Sequence, residues 1–113
     1  MEQHYKLHRI KELAGDDQEF IDTLVQTFLE EVPEDARQLQ IAVDSSDHLK
    51  TYRVAHKMKP TVDLFELGVL EDLIIVQDWG KFEQKNKDIT PNLDRVITAI
   101  ENTINEIKED YNL

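Results

Sequence analysis

One histidine lies in a stretch of the chain that contains basic residues but no acidic ones. From Leu49 to Val62 there is no Asp or Glu, although the whole chain carries 24 acidic and 13 basic residues and a formal net charge of −11. His56 lies near the middle of this stretch, in the sequence Ala-His-Lys-Met-Lys of residues 55–59. A neutral imidazole is nucleophilic near neutral pH, and nearby cations can stabilise an incoming phosphoryl group. The pattern therefore suits a histidine that carries a negatively charged group.

A predicted helix from about His48 to about Glu66 positions this histidine. Its buried face is formed by apolar residues at helical spacing, namely Ala55, Met58, Val62 and Phe65. At about 100° per residue, His56 lies roughly 100° from Ala55 and further from the centre of the apolar stripe. We therefore expect the imidazole to project into solvent from the flank of the domain.

Basic side chains should surround the exposed imidazole. Arg53 and Lys59 lie one helical turn away from it, one on either side along the helix. Pro60 borders it in the same way, and Lys57 lies further round the helix but raises the local potential. A surface histidine among unrelated lysines explains the position and the charges equally well, so these residues alone leave both interpretations open.

Further helices are predicted on both sides of this one. Their expected ranges are 7–13, 16–43 and 70–79, followed by a charged loop over 80–88 and a last helix from residue 90. Asp16 should cap the long helix, which Pro33 should kink, and Thr90 should cap the last helix. We expect Trp79 and Phe82 to pack against one end of the domain.

These elements predict an all-α protein. No segment shows sustained two-residue alternation between hairpin turns, and the 113 residues suit one domain spanning 1–113. Four helices with short connections pack best as an antiparallel up-down four-helix bundle, with the short N-terminal helix capping one end.

Composition narrows the possible functions. The net charge of −11 argues against a nucleic acid partner, and no apolar run is long enough to cross a bilayer. The N-terminus lacks the apolar region of a secretory signal, so a cytoplasmic protein is expected. There is no Cys nucleophile and no glycine-rich phosphate-binding loop, so we expect neither kinase activity nor ATP binding and do not predict an enzyme.

Metal binding is a weaker interpretation of the histidines near the N-terminus. His4 and His8 are four residues apart and could share one helical face, but no third ligand is evident. The Glu-x-x-His motifs of a di-iron bundle are also absent from the sequence. We therefore expect no metal and no other cofactor bound to this chain.

Residues 55–59 resemble the Ala-His-x-Leu-Lys core of histidine-containing phosphotransfer (HPt) domains. The layout of that family is also matched by Gly-Asp-Asp-Gln-Glu-Phe at 15–20, Phe-Leu-Glu-Glu-Val-Pro-Glu at 28–34 and Asp-Ser-Ser-Asp at 44–47. The resemblance covers nearly the whole chain and is best over residues 7–76. It implies a four-helix bundle with the histidine motif on the second long helix.

The resemblance implies a phosphorelay carrier. On this interpretation His56 accepts a phosphoryl group from the aspartyl phosphate of one receiver domain and passes it to another. Lys59 matches the family's lysine that assists the phosphoryl charge. Electrostatics alone adds Arg53 and Lys57 as supporting residues, and Pro60 is a further neighbour of the site.

The resemblance also implies the partners. These are the receiver domains of response regulators and a hybrid histidine kinase, with Mg²⁺ held by the receiver. The chain is expected to be a monomer that forms a modest, transient interface with them. Ile10 and Leu13 of the opening helix are candidate contacts, although they could equally cap the core.

Two positions depart from the family pattern. Pro60 stands four residues after the histidine, where the family usually has glycine, and Glu66 stands ten residues after it, where glycine is also common. Pro60 removes a helical hydrogen bond and crowds the carbonyl of His56. These departures favour the alternative, an HPt-like helical adaptor or docking module that transfers no phosphoryl group.

Overall fold

The structure, a computed structural model, describes residues 8–15 and 17–111, which fold into helices joined by turns and short loops. The helices are α1 (His8–Ala14), α2 (Gln18–Asp44), α3 (His48–Leu64), α4 (Leu70–Lys81) and α5 (Thr90–Asp110). No strand occurs in these residues, which confirms the all-α prediction. Across the same ranges, no helix combines the length and the apolar character needed to cross a membrane.

One hydrophobic core contains side chains from all five helices. Its fully buried members include Ile10, Phe28, Leu39, Met58, Val62, Leu73, Val76, Leu93, Val96, Ile100 and Ile107. Buried residues recur at intervals of three and four along α2, α3 and α5, so each of these helices turns one stripe toward the same interior. The apolar residues whose spacing predicted the helices are therefore also the residues that pack the helices together.

Each of the four longer helices packs against two others of these four. α2 contacts α3 and α5, α4 also contacts α3 and α5, and α1 packs on α2. The Asp72 carboxylate ties α4 to α5, because it accepts hydrogen bonds from the Arg95 guanidinium at 2.9 Å and from the Asn92 amide at 3.0 Å. The Arg95 hydrogen bond is the main reason that the pKa of Asp72 lies below its ordinary value.

The contact between α3 and α4 is the most extensive, and Gly80 allows it. A Cβ atom on Gly80 would lie 2.5 Å from the His48 carbonyl oxygen and 2.7 Å from the Tyr52 amide nitrogen. The two helix backbones therefore approach each other more closely than any larger residue at this position would permit. The sequence prediction of a loop from residue 80 was wrong here, because α4 continues to Lys81.

Helix starts also differ from the predicted ones. Asp17 caps α2, with its carboxylate accepting a hydrogen bond from the Phe20 amide at 3.1 Å, while the predicted cap at residue 16 lies outside the described residues. The helix then runs without interruption through Pro33. Thr90 is the first residue of α5 and not its cap, and its amide donates to the Asp88 carboxylate at 3.0 Å. That bond lowers the pKa of Asp88.

Three helices end in a left-handed residue that is not glycine. Ser46, Glu66 and Glu83 follow the last residues of α2, α3 and α4 with φ of 54°, 53° and 48°. At each end the amides of this residue and the next one bond back to carbonyls of the last helical turn, as in a Schellman motif. A residue with a Cβ adopts this conformation at a cost of about 1 kcal/mol or more, which glycine avoids.

Replacing Glu83 by glycine should therefore stabilise the protein by about 0.5–1 kcal/mol. Glycine removes the backbone strain of the folded state, which raises the free energy of unfolding. It also gives the unfolded chain more conformational entropy, which offsets part of this gain. Urea unfolding followed by circular dichroism measures it. Glu71→Gly is the matched control, because Glu71 is exposed in the first turn of α4 and its loss should destabilise the protein by about the same amount. Equal destabilisation by both variants would contradict the prediction.

Candidate functional site

α3 carries the candidate histidine on its outer face. The helix begins after Asp47, whose carboxylate accepts a hydrogen bond from the Lys50 amide at 3.1 Å. Its inner face is buried at Ala55, Met58 and Val62, each at most 2 % exposed. His56 lies on the other side and is exposed. The sequence prediction of a solvent-accessible imidazole at this position agrees with the structure.

Tyr52 packs beside the imidazole. The ring centroids of Tyr52 and His56 are 5.8 Å apart and their planes are inclined by 32°. Tyr52 precedes His56 by four residues and is half-buried, so its ring covers one side of the exposed imidazole. The spacing of four residues places both rings on one face of α3.

Two cations flank the imidazole along the helix. Arg53 is exposed and Lys59 is half-buried, and each lies three residues from His56. Neither forms a salt bridge with any carboxylate among residues 8–15 and 17–111. Neither cation is therefore held in an ion pair within this part of the chain, and both can act on a negatively charged group at His56.

Lys57 is engaged elsewhere. Its ammonium lies 3.0 Å from the Asp35 carboxylate of α2, and Asp35 is mostly buried with 15 % of its side chain exposed. The hydrogen bond to Asp35 is the main cause that raises the pKa of Lys57. This pair ties α3 to α2 and leaves Lys57 with a smaller effect on the potential at His56 than Arg53 or Lys59 has.

Pro60 lies within α3 and does not end it. The helix continues for four more residues, to Leu64, and Pro60 is exposed. Proline has no amide hydrogen, so the carbonyl of His56 has no partner at the position four residues on. The backbone oxygen of the candidate nucleophile is thus left without its regular helical hydrogen bond.

Glu66 occupies the glycine-type position at the end of α3. The helix ends at Leu64, and Glu66 follows with φ of 53° while its amide bonds to the Asp63 carbonyl at 3.1 Å. Gly68 lies two residues later, where φ is also positive at 77°. The helix end is therefore not shifted toward Gly68, because the left-handed turn is made by a glutamate.

The opening helix contributes one core residue and one surface residue. Ile10 is fully buried, so it caps the core and is not available as a partner contact. Leu13 is 73 % exposed and remains a candidate contact. α1 packs on α2, which explains why one side of this short helix is buried and the other is not.

The described residues contain no group of three or more His, Cys, Asp or Glu side chains that could hold a metal ion. His4 lies outside those residues, as does the side chain of His8, so the pair proposed from sequence lies outside the described part of the chain. The remaining histidine, His48, stacks on Trp79 with ring centroids 4.1 Å apart.

Comparison of the chain with protein-family models, with curated proteins and with solved structures finds no match.

Proposed function

We propose that this protein is a phosphorelay carrier whose His56 holds the phosphoryl group. The observation that carries the proposal is an exposed imidazole on α3 between Arg53 and Lys59, neither of which is paired with a described carboxylate. Such a histidine can be reached by a protein partner and has cations beside it to offset the phosphoryl charge. The sequence resemblance to HPt domains names the same residue.

The proposed fold is an antiparallel four-helix bundle of α2, α3, α4 and α5, capped by α1. The closed set of contacts from α2 to α3, α4, α5 and back to α2 supports this arrangement. Short connections between consecutive helices favour antiparallel neighbours. Such a bundle presents the outer face of α3 as a rigid surface, so a partner would find His56 in a fixed position.

The transfer that we propose is a direct displacement at phosphorus. A ring nitrogen of His56 attacks the aspartyl phosphate of a receiver domain, and the new N–P bond forms as the P–O bond to the carboxylate breaks. The electron pair of the broken bond returns to the aspartate. Lys59 and Arg53 stabilise the charge on the transferred group, and Mg²⁺ on the receiver does so from the other side. The reverse step delivers the group to a second receiver.

Treatment with phosphoramidate tests the proposal without any partner protein. The chain should gain the mass of one phosphoryl group, and the adduct should be lost in acid and kept in alkali, as expected of phosphohistidine. Intact mass spectrometry reads the result, with circular dichroism as the check on folding. A folded protein that gains no phosphoryl group from phosphoramidate or from a phosphorylated receiver would leave the adaptor alternative in its place.

A further inference from the structure

Apolar side chains are exposed where the start of α3 meets the end of α4. Leu49 is 57 % exposed and Phe82 is 62 % exposed, although the sequence predicted that Phe82 packs against the domain. An open groove of about 330 Å³, which we call the Leu49 groove, is lined by Leu49, Tyr52, Gly80, Lys81 and Glu83, and Phe82 lies between the last two of these in the chain. Large apolar side chains that are exposed at a groove are typical of interaction sites.

The close contact at Gly80 creates this groove. Because Gly80 lies against the backbone of His48 and Tyr52, the next residue, Lys81, is held beside the first turns of α3. The Lys81 ammonium lies 5.2 Å from the ring centroid of Phe82, so the exposed aromatic ring contacts a residue that lines the groove. The groove is therefore a product of the rigid junction between two helices.

The groove is continuous with the site at His56. Leu49, Tyr52 and His56 are spaced by three and four residues and share one face of α3, and Tyr52 both lines the groove and contacts the imidazole. The rise of a helix places Leu49 about 10 Å from His56 along α3. A partner that covers His56 with a typical footprint of about 800 Å² can cover the groove as well.

The charge on this surface is unusual for the chain. Arg53 and Lys81 are exposed on it, and residues 49–62 contain no acid, whereas the chain as a whole has a net charge of −11. Glu83 is the acidic side chain that lines the groove. The surface is thus apolar with basic residues around it, which complements a partner that carries carboxylates beside apolar residues.

We propose that the receiver domain that exchanges its phosphoryl group with His56 docks on the Leu49 groove. The inference rests on the proposed function. An aspartyl phosphate donor holds its Mg²⁺ with carboxylates, so the rim of its reactive site is acidic. Arg53 and Lys81 face that charge, while Leu49 and Phe82 provide the apolar contact that fixes the partner over His56.

The double variant Leu49→Ser/Phe82→Ser tests the docking surface. The probes are phosphoramidate and the receiver domains of the same organism, each loaded with acetyl phosphate and freed of excess reagent. We expect phosphorylation by phosphoramidate to be unchanged, because a small donor needs no docking, and transfer from the receiver to slow at least about tenfold at low receiver concentration. Ile41→Ser is the matched control, since Ile41 is 44 % exposed on α2, and it should transfer at the wild-type rate.

Charge reversal gives a second, independent readout. Lys81→Glu should slow transfer from the receiver and reduce its dependence on salt, because steering by this charge acts on the association rate. Equal receiver transfer by the wild type and the double variant would overturn the docking proposal. So would a wild type that phosphoramidate modifies but no receiver does, or a groove substitution that dissociates a dimer of this chain. A wild type that is phosphorylated neither by phosphoramidate nor by any receiver would overturn the proposed function itself.

Discussion

Replacing His56 by glutamine should abolish phosphoryl uptake from phosphoramidate. Glutamine keeps a polar side chain of similar length at this exposed position, but its amide nitrogen is not a nucleophile. The fold should be unaffected, because His56 packs only against Tyr52 among the ring contacts of the described residues. Intact mass spectrometry should find no adduct on this variant under conditions that modify the wild type completely.

His48→Gln is the matched control for this experiment. The His48 ring stacks on Trp79, and its Nε2 atom is buried without a hydrogen-bond partner, so it is poorly placed to attack a phosphate. This variant should take up one phosphoryl group like the wild type. A variant with glutamine at both His4 and His8 should do the same. If the adduct survives in His56→Gln, the site must be moved to one of these other histidines.

Replacing Gly80 by alanine should destabilise the protein by about 2 kcal/mol. The added Cβ would lie well inside the normal contact distance of two backbone atoms of α3, the His48 carbonyl oxygen and the Tyr52 amide nitrogen. Backbone atoms cannot rotate away, so the helices must separate, and overpacking of this kind costs about 1–3 kcal/mol. The higher helix propensity of alanine offsets less than about 1 kcal/mol of this cost. Urea unfolding measures the difference, and thermal unfolding should show a loss of roughly 10 °C.

Gly68→Ala separates this steric effect from the general consequences of replacing glycine. A Cβ on Gly68 would meet nothing within 4 Å, but φ is 77° there, so the cost should be limited to about 1 kcal/mol of backbone strain. Gly80→Ala should be the more damaging of the two. A Gly80→Ala protein as stable as the wild type, as helix propensity alone would suggest, would show that α3 and α4 do not approach as closely as described.

The sequence was sufficient to predict the helices and the exposure of His56. Apolar residues such as Ala55, Met58 and Val62 repeat at helical spacing, and the same spacing determines which residues of α3 point outward. The ends of the helices were less predictable. The sequence predicted that α3 runs to about Glu66, but the helix ends at Leu64 and Glu66 makes the left-handed turn, because backbone hydrogen bonds at a helix end can compensate for the strain.

Local sequence patterns did not predict the contacts between helices. Gly80 was predicted to be the first residue of a charged loop, because nothing in the sequence shows that the backbone of α3 lies against it. Lys57 read as a cation that acts on His56, but its partner Asp35 lies 22 residues earlier in the chain. Periodicity predicts which face of a helix is buried, but it does not predict which residues of another helix contact that face.

The stack of His48 on Trp79 makes the junction between α3 and α4 optically observable. The chain contains one tryptophan, and it is 7 % exposed beside the glycine that sets the spacing of the two helices. Its fluorescence therefore comes from this junction alone, without an introduced label. Emission should shift to longer wavelength when the helices separate, and an imidazole in contact with the indole can quench it. The protein thus carries a native probe for unfolding and for events at the nearby groove.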